Sequence, residues 1–302
     1  MTKEFYSNGK LLLSGEYAIL DGAEGWAIPT KFGQYLRVND TNTETLSWCS
    51  SDADGTVWFK GSYTLKDFKE ISSTNEEISK NLIRILNEIR SLEPSFLTNA
   101  KGCEVKTELT FPKAWGLGTS STLIANLSSW AKVDPYKLLS KTFGGSAYDI
   151  ACAQYDMPIV FQLKNATPLI TELHTTPPFT ASLFFVYLNQ KKNSREAIAS
   201  YRSLNIDKAK LTHDLSELTR KMILSPNLRD FEELINIHEE KLSQVLQITP
   251  IKEKLFPDYQ GSIKSLGAWG GDFIMATGNN ETPVYFKSKG YSVVLPYAEM
   301  IL

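Results

Sequence analysis

A glycine-rich stretch in the middle of the chain, FPKAWGLGTSS, carries residue types that suit phosphate binding. Gly116 and Gly118 let the backbone approach a ligand closely and adopt positive φ angles. An apolar, helix-like segment follows, and the first N–H groups of a helix lack internal partners and attract anions. Ser120 and Ser121 either cap this helix or bind phosphate oxygens or Mg²⁺. The stretch therefore predicts an anion site or, alternatively, a capped corner between a strand and a helix.

Two charged residues near the N-terminus, in SNGKLLLSGEYAILDG, form a second candidate. Lys10 stands where a buried strand is predicted to begin, and Glu16 follows just past its end. At these places the two side chains either point into one cleft or form a surface pair. The first arrangement would bring a cation and a carboxylate together for chemistry.

Two more candidates follow the glycine-rich stretch. Asp149, in FGGSAYDIACAQYD, lies among small and apolar residues, where a carboxylate is costly unless it is paired or used in function. The alternative is that Asp149 caps a helix. In KSLGAWGGDF, the glycines around Trp269 mark a turn where backbones approach closely, or a hairpin with a bulge.

The composition indicates a globular protein without affinity for large polyanions. The 302 residues are 42% hydrophobic and 22% charged, and the formal net charge is −2. This balance excludes the broad basic surface of a protein that binds nucleic acid or anionic membranes. Three widely spaced cysteines form no CxxC pair, so neither a disulfide framework nor a zinc site is predicted. The three histidines are spaced irregularly and are expected to be structural or exposed.

Two further observations predict a cytoplasmic protein. The N-terminus, MTKEFYSNGK, has no apolar segment of the kind found in signal peptides. The longest apolar run, LFFVYL, is far shorter than the roughly 20 residues that a membrane helix needs.

The first half of the chain predicts a mixture of strands and helices. A long helix is expected after a capping box, because Ser73 and Thr74 each precede a glutamate by three residues. Apolar residues then recur at helical spacing up to Leu92. Strands are expected at Lys10–Ser14, Gly33–Asn39 and Cys103–Thr110, with a hairpin turn at Asp54 and Gly55.

The second half predicts a split βαβ arrangement. A Thr- and Pro-rich stretch at Asn165–Pro178 marks a domain boundary, so residues 1–168 and 169–302 are predicted as two domains. After it come a strand, three helices, two short strands around the glycine-rich turn, a short helix and a final strand, which is close to a ferredoxin-like order. The three helical patterns lie at Ser194–Tyr201, Asp207–Met222 and Asp230–Leu246.

Taken together and in order, these stretches resemble the GHMP kinases, a family named for galactose, homoserine, mevalonate and phosphomevalonate kinases. GKLLLSGEYAIL is similar to the first family motif, and PKAWGLGTSS is similar to the P-x-x-x-G-L-G-S-S phosphate loop. GGSAYDIA occupies the place of the S-G-x-D segment, and KSLGAWGGDF is similar to the third motif, K-x-x-G-A-G-G-G-D. The resemblance covers nearly the whole chain, and four motifs in the right order are far more specific than any one of them.

The resemblance implies an α+β fold with an N-terminal domain like domain 2 of ribosomal protein S5 and a C-terminal ferredoxin-like domain. In the family, ATP and the acceptor lie between the two domains. ATP and Mg²⁺ are the implied cofactors, and the implied partner is a small-molecule substrate. The protein is expected to be a monomer or homodimer that binds neither nucleic acid nor membrane.

The resemblance also implies roles for individual residues. Asp149 would take or orient the proton of the acceptor hydroxyl, and Lys10 would stabilise that carboxylate and the transferred phosphoryl group. The metal ion would contact Ser120 and Glu16. The nucleotide would contact Pro112, Trp115, Gly116, Leu117, Gly118, Thr119, Ser120, Ser121, Gly267, Gly270 and Gly271. The substrate would contact Glu16, Tyr148, Lys191 and Arg195.

The sequence departs from the family pattern at several places. Leu138, eleven residues before Asp149, stands where mevalonate kinases carry a glutamate that binds the metal. Trp115 and Trp269 replace small residues in two loops that are expected to meet near the phosphates, and Thr119 replaces a serine. These departures leave the acidic metal ligand open, and Trp269 in particular is expected to narrow the nucleotide site.

The resemblance is strongest to mevalonate and phosphomevalonate kinases, because of GEYAIL and the aromatic residue before Gly-Leu-Gly. The expected activity is ATP- and Mg²⁺-dependent phosphorylation of mevalonate or phosphomevalonate in isoprenoid precursor synthesis. The basic run with Lys191 and Arg195 suits an anionic acceptor, or it is simply solvated. Two alternatives stay open: an enzyme like diphosphomevalonate decarboxylase, and an inactive nucleotide-binding sensor or scaffold of the same fold.

Overall fold

The chain divides into two compact units, which a computed structural model describes over residues 2–190 and 194–302. The first unit comprises the chain up to Gly9, Phe32–Lys113 and Leu117–Gln154. The second unit comprises Lys10–Lys31, Ala114–Gly116 and Tyr155–Leu302. Each unit combines strands and helices, so the predicted α+β class is confirmed.

The compact units differ from the domains predicted from the sequence. The predicted boundary after residue 168 lies inside a strand, and the units divide at residue 155 instead. The second unit also includes Lys10–Lys31, and with it the candidate residues Lys10 and Glu16. A functional division at residue 168 stays a prediction.

A mixed sheet forms the frame of the first unit. The strands of this half of the chain are β1 (Thr2–Ser14), β2 (Gly25–Asp40), β3 (Thr45–Ser51), β4 (Val57–Thr64), β5 (Glu70–Ser73) and β6 (Cys103–Leu109). In the first unit the order is β5-β4-β3-β6-β2, and β1 pairs with β2 off this path. Strands β3 and β6 are parallel, and the other neighbours along this order are antiparallel.

Four helices accompany this sheet: α1 (Glu76–Leu92), α2 (Thr119–Ala131), α3 (Pro135–Lys141) and α4 (Tyr148–Gln154). The predicted apolar stripe of α1 is confirmed, because Leu82, Ile85 and Ile89 are buried. The predicted capping box is wrong: Asn75 caps α1 and accepts a hydrogen bond from the N–H of Ile78 at 3.0 Å. Ser73 is unable to cap because it ends strand β5, where it pairs with Gly61.

The second unit contains the predicted split βαβ arrangement. Its strands are β7 (Ile159–Lys164), β8 (Thr167–Glu172), β9 (Leu183–Tyr187), β10 (Ile263–Ser265), β11 (Phe273–Thr277) and β12 (Val294–Pro296). Its helices are α5 (Ser194–Arg202), α6 (Lys208–Ile223), α7 (Leu228–Leu246), α8 (Ile251–Leu255), α9 (Thr282–Ser288) and α10 (Tyr297–Met300). Strands β9 to β12 form an antiparallel sheet in the order β10-β11-β9-β12, the ferredoxin-like arrangement.

Several general expectations can be compared with these elements. The hairpin β7–β8, which pairs with the first part of β2, was not predicted from the Thr- and Pro-rich stretch. The three cysteines are free thiols, as predicted. Across the described ranges, no helix has both the length and the apolar character needed to cross a membrane.

Helix α2, which follows the glycine-rich stretch, is fixed to the first unit by buried polar contacts. Asn126 donates from Nδ2 to the carbonyl oxygen of Gln34 at 2.8 Å, and its Oδ1 accepts from the hydroxyl of Ser7 at 2.9 Å. Thr122 donates to Oε1 of Gln34 at 2.8 Å. All these side chains are buried, so the contacts set the position of α2 against β1 and β2.

We expect Asn126→Ala to lower the free energy of unfolding by about 2 to 4 kcal/mol, because it leaves the Ser7 hydroxyl and the Gln34 carbonyl buried without this partner. Ser129→Ala is the matched control, since Ser129 is exposed on the same helix, and its effect should stay within about 0.5 kcal/mol. Equilibrium denaturation measures both. Equal stability of the two variants would contradict the anchoring role of Asn126.

Candidate phosphate-binding and catalytic site

The glycine-rich stretch forms a tight turn that leads directly into α2. Lys113–Trp115 make one turn of 3₁₀ helix, and Gly116 and Gly118 then take φ angles of 67° and 102°. Gly118 is the N-cap residue of α2, and no side chain caps the helix. As a glycine, this N-cap residue offers no side-chain acceptor to the first N–H groups of the 13-residue helix. This backbone suits an anion and disfavours the capped-corner alternative.

The hydroxyl residues of the loop contribute unequally. Ser121 is buried and donates from Oγ to the carbonyl oxygen of Gly118 at 2.8 Å. Thr122 donates to the same carbonyl at 3.1 Å. Both bonds stabilise the loop without capping the N–H groups. Ser120 is exposed, and Thr119 is half-buried, so Ser120 is the hydroxyl best placed to meet a ligand in solvent.

Residues 114–116 of the loop are held by strands of the second unit. The hydroxyl of Tyr187 donates to the carbonyl oxygen of Ala114 at 3.0 Å. The half-buried ring of Trp115 packs edge-on against Phe273, with centroids 5.6 Å apart, and lies 6.2 Å from Tyr187. Tyr187 and Phe273 also contact each other, at 5.3 Å. Trp115 therefore anchors the loop to β9 and β11.

Two charged side chains meet at Gly116. Lys10 donates from Nζ to the carbonyl oxygen of Gly116 at 3.3 Å. The carboxylate of Asp272 lies so close to the Cα of Gly116 that a Cβ there would overlap Oδ2. Glycine is thus required at this position both by φ and by space. Asp272 was not predicted as a site residue; the available signal was an acid at the end of KSLGAWGGDF.

Glu16 lies in a buried ionic cluster of the second unit. Lys264, which is fully buried, contacts Oε1 of Glu16 at 2.5 Å and Oε1 of Glu239 at 3.1 Å. Ser265 donates to Oε2 of Glu239 at 2.6 Å. Oε2 of Glu16 lies 3.3 Å from Nε2 of the buried His238. We refer to Glu16, His238, Glu239 and Lys264 as the Lys264 cluster.

The Lys264 cluster gives Glu16 partners that were not predicted from the sequence. Gly15 reverses the chain at the end of β1 with a φ of 87°, and Glu16 then turns into the core. Lys264 contacts Oε1 of its carboxyl group. The expected contacts of Glu16 with a metal ion and a substrate stay predictions.

Burial and the charges within the Lys264 cluster shift the pKa values of its acidic and basic groups. Burial raises the pKa of Glu16 to about 7, although Lys264 opposes this shift. Burial and the Lys264 charge hold the pKa of His238 well below 6.5. For Lys264, burial works to lower the pKa, but Glu16 and Glu239 outweigh it and raise the pKa. Two carboxylates thus compete for one buried cation, which favours a proton on Glu16.

A proton on Oε2 of Glu16 also has an acceptor nearby. In the ionised carboxylate, Oε2 has no hydrogen-bond donor. Nε2 of His238 accepts weakly from the N–H of Gly15, at 3.4 Å. A protonated Oε2, which lies 3.3 Å from this nitrogen, would compete with the N–H of Gly15 for its single lone pair.

Two turns beside the Lys264 cluster, one at Tyr17 and one at Trp269, have strained backbone angles. Tyr17 has φ 62° and ψ −52°, and the N–H of Ala18 bonds to the carbonyl of Glu16 at 2.8 Å, which is a γ-turn of the rare, strained kind. Trp269 has a φ of 57°, uncommon for a bulky residue. The hydroxyl of Tyr17 donates to the carbonyl of Ala268 at 3.0 Å and so joins the two turns.

Trp269 lies in the core of the second unit, and its effect on a nucleotide site stays a prediction. Its ring is 1% exposed, and Nε1 donates to Oε1 of Glu239 at 3.1 Å. It packs in a core with Tyr17, Tyr201 and the apolar faces of α6 and α7. The partners of Trp115 are Tyr187 and Phe273 instead.

The remaining predicted residues are placed as follows. Asp149 and Tyr148 are half-buried in the first turn of α4, and Oδ1 of Asp149 accepts from the N–H of Ile150 at 3.2 Å. Gly267 and Gly270 have φ angles of 60° and 88°. Pro112 is exposed, while Leu117 and Gly271 are buried. Lys191 and the side chain of Arg195 lie outside the described residues.

The loop fits a nucleotide phosphate better than it fits a metal ion held by protein alone. The residues that the structure describes contain no group of three His, Cys, Asp or Glu side chains that could hold a metal ion. Mg²⁺ is commonly bound through one or two carboxylates together with substrate phosphates and water. A metal ion here would therefore depend on the nucleotide, with the exposed Ser120 hydroxyl at the start of α2 as a fitting oxygen ligand.

Comparisons with known proteins identify the fold. No protein-family model matches the sequence, and no curated protein matches it. The mevalonate kinase of Methanococcus jannaschii is similar in structure, with a TM-score of 0.72 and 15% identity over 98% of this chain and 97% of that chain. Streptococcus pneumoniae phosphomevalonate kinase, in complex with phosphomevalonate and AMPPNP, gives a TM-score of 0.69 and 14% identity over 99% of this chain and 98% of that chain. Lactococcus lactis galactokinase, complexed with galactose, gives a TM-score of 0.67 and 14% identity over 95% of this chain and 88% of that chain.

These similarities extend over almost the whole chain. The chain thus has the two-domain GHMP kinase fold of these enzymes, and the fold predicted from the four motifs is confirmed. Since the identities lie at 14–15%, they show the fold and leave the substrate open.

The raised pKa of Glu16 predicts a pH dependence of stability. In the unfolded chain the carboxyl ionises from pH 4.5, whereas in the fold it keeps its proton up to about pH 7. Its contribution to stability is therefore present below pH 4.5 and is lost as the pH rises through about 7, by about 3 kcal/mol in all. Denaturation of wild type and Glu16→Gln at pH 4.5 and pH 7.5, followed by circular dichroism, should show this difference.

Comparing wild type with Glu16→Gln separates the effect of Glu16 on stability from that of His238. The lowered pKa of His238 acts in the opposite sense, because that stability is present above pH 6.5 and is lost as the pH falls. Both proteins retain His238, so its effect is largely shared. A difference between wild type and Glu16→Gln that does not change with pH would contradict the protonated state of Glu16.

Proposed function

We propose that this protein is an ATP-dependent kinase of a small anionic alcohol or phosphate ester, with mevalonate or phosphomevalonate as acceptor. The observation that carries the proposal is the uncapped start of α2. There, Gly116 and Gly118 adopt positive φ angles, and the N-cap residue Gly118 has no side chain with which to cap the N–H groups. Backbone donors of this kind bind phosphate without a net basic charge, which agrees with a chain of net charge −2.

Each side chain then has a definite task in phosphoryl transfer. The N–H groups at the start of α2 hold the nucleotide phosphates. Lys10, fixed on the carbonyl oxygen of Gly116, adds positive charge beside them. Mg²⁺, when bound with the nucleotide through Ser120, supplies charge neutralisation. Positioning and charge neutralisation are the main requirements of this reaction.

Asp149 is the proposed general base. The acceptor oxygen, a hydroxyl oxygen of mevalonate or a phosphate oxygen of phosphomevalonate, forms a bond to the γ-phosphorus, the bond from that phosphorus to the bridging oxygen breaks, and ADP leaves. With a hydroxyl acceptor, the proton passes to the carboxylate of Asp149, which is half-buried at the start of α4. An ionised phosphate oxygen has no proton to transfer. A carboxylate with this exposure is reachable by a substrate and yet partly shielded from water.

Similarity to known kinases supports the choice of acceptor. A mevalonate kinase and a phosphomevalonate kinase share the fold across nearly their full length, and both names denote acceptors that carry a carboxylate or phosphate. A galactokinase shares it too, so sugars belong in the test. The basic run at residues 191–195, predicted from sequence to face the acceptor, favours an anion.

We expect ADP release to depend on an acceptor. A coupled assay with ATP and Mg²⁺ should respond to mevalonate or phosphomevalonate by about tenfold or more over background, and less to homoserine, galactose or glucose. Release of carbon dioxide from diphosphomevalonate would favour a decarboxylase instead. Tight nucleotide binding without turnover on any acceptor would favour the sensor or scaffold alternative.

Asp149→Asn should lower kcat by about 10² to 10⁴-fold, the range for removal of a general base. The dissociation constant of a non-hydrolysable ATP analogue should change little, because the phosphate loop stays intact. Asp54→Asn is the matched control, since Asp54 is an exposed aspartate in the β3–β4 hairpin turn of the same unit. Full activity of Asp149→Asn would remove Asp149 from the mechanism.

A further inference from the structure

The hydroxyl of Tyr187 ties the segment before the glycine-rich turn to strand β9. It donates to the carbonyl oxygen of Ala114 at 3.0 Å, two residues before Gly116. We infer that this hydroxyl is a positioning group for the nucleotide phosphates. It fixes the backbone that enters the phosphate-binding turn, and it acts through Ala114 without touching the ligand. This inference rests on the proposed function.

Tyr187 is itself held firmly, so it can serve as an anchor. It is the last residue of β9, where it pairs with Phe273 of β11. Its N–H donates to the carbonyl oxygen of Val293 at 3.0 Å. Its half-buried ring lies 5.3 Å from that of Phe273 and 6.2 Å from that of Trp115, measured between centroids. A tyrosine side chain has only two torsion angles, so a fixed ring leaves the hydroxyl little freedom of position.

Two side-chain donors hold alternate carbonyl oxygens of the segment. Tyr187 holds that of Ala114, and Lys10 holds that of Gly116 at 3.3 Å. Backbone N–H groups bind an anion, whereas a carbonyl oxygen that turned toward the anion would repel it. A carbonyl oxygen that accepts from a fixed donor is restrained from turning in this way. Tyr187 therefore keeps the Ala114 peptide in one orientation.

The glycines that follow make this restraint matter. Gly116 and Gly118 have positive φ angles, and Gly118 is the N-cap residue of α2. Glycine has more backbone freedom than any other residue, so a turn built on two glycines keeps one shape only if the adjoining backbone is fixed. The bond at Ala114 fixes the backbone on the N-terminal side of the turn.

The hydroxyl has one proton to donate, and Ala114 receives it. Oδ1 of Asn189 lies 3.3 Å from the same hydroxyl, farther than the carbonyl oxygen of Ala114. Burial raises the pKa of Tyr187, and the charge of Asp272 adds to this shift. The hydroxyl therefore remains a donor at neutral pH and into the alkaline range, so the bond is present under the conditions of a kinase assay.

The test removes the hydroxyl and keeps the ring. A non-hydrolysable ATP analogue is titrated calorimetrically, with excess Mg²⁺, into wild type and Tyr187→Phe. The dissociation constant should rise about three- to tenfold in the variant, the loss expected for one hydrogen bond. Inorganic tripolyphosphate should lose affinity by the same factor, because the turn is proposed to contact the phosphates and not the base. In the coupled assay, KM for ATP should rise while kcat stays within about twofold, since the hydroxyl does not touch the reacting atoms.

Tyr285→Phe is the matched control, because the Tyr285 hydroxyl donates to Oδ1 of Asp258 at 2.7 Å elsewhere in the second unit. It should leave both dissociation constants unchanged. Equal affinity of wild type and Tyr187→Phe for the analogue would overturn the inference. So would a weakening that tripolyphosphate does not share, or a fall in kcat without a change in affinity. Failure of the wild type to bind the analogue would instead overturn the proposed function.

Thermal melting shows whether the variants are folded. Tyr187→Met, which keeps a large apolar side chain, repeats the test if Tyr187→Phe does not fold. Misfolding of both variants would show that the hydroxyl serves folding and would overturn the inference.

Discussion

The second unit depends on one buried ammonium group. Lys264 lies on β10 with no exposure to solvent, and its ammonium group contacts the carboxyl group of Glu16 from the turn after β1 and the carboxylate of Glu239 from α7. Leaving such a cation without its partners would cost several kcal/mol, so the three elements are obliged to keep these positions. The strained turns at Tyr17 and Trp269 border this cluster, and the fixed surroundings sustain their unusual backbone angles.

The constraint extends to the glycine-rich loop before α2 through short segments of chain. Glu16 is six residues from Lys10, which bonds to Gly116. Lys264 is eight residues from Asp272, which lies against the same glycine. Both residues that contact Gly116 therefore lie within eight residues of a member of the Lys264 cluster along the chain. Buried charges of this kind specify geometry more than they add stability, and here the geometry concerns a candidate site.

The motifs in the sequence predicted much of this arrangement, and the reasons for the exceptions are physical. Periodicity and glycine spacing are local, and they located α1, the ferredoxin-like order and the turn before α2. The partner of a charged side chain depends on contacts far along the chain, so the pairing of Glu16 with Lys264 could not be predicted from local sequence patterns. Ser73 pairs with β4 as part of strand β5, and Asn75 caps α1 instead. Asp272 stood within a recognised motif, but only the approach of its carboxylate to Gly116 shows what it contacts.

The wide sequence separation within the Lys264 cluster bears on how the chain is made. Glu16 leaves the ribosome 248 residues before Lys264. At about 5 to 20 residues per second, this interval lasts roughly 10 to 50 seconds. Throughout it, the carboxyl group in the turn after β1 lacks its Lys264 partner, so this turn cannot yet be buried as it is in the fold. The second unit, whose first segment begins at Lys10, therefore closes only after Lys264 has been made, and its earliest segment waits longest for its contacts.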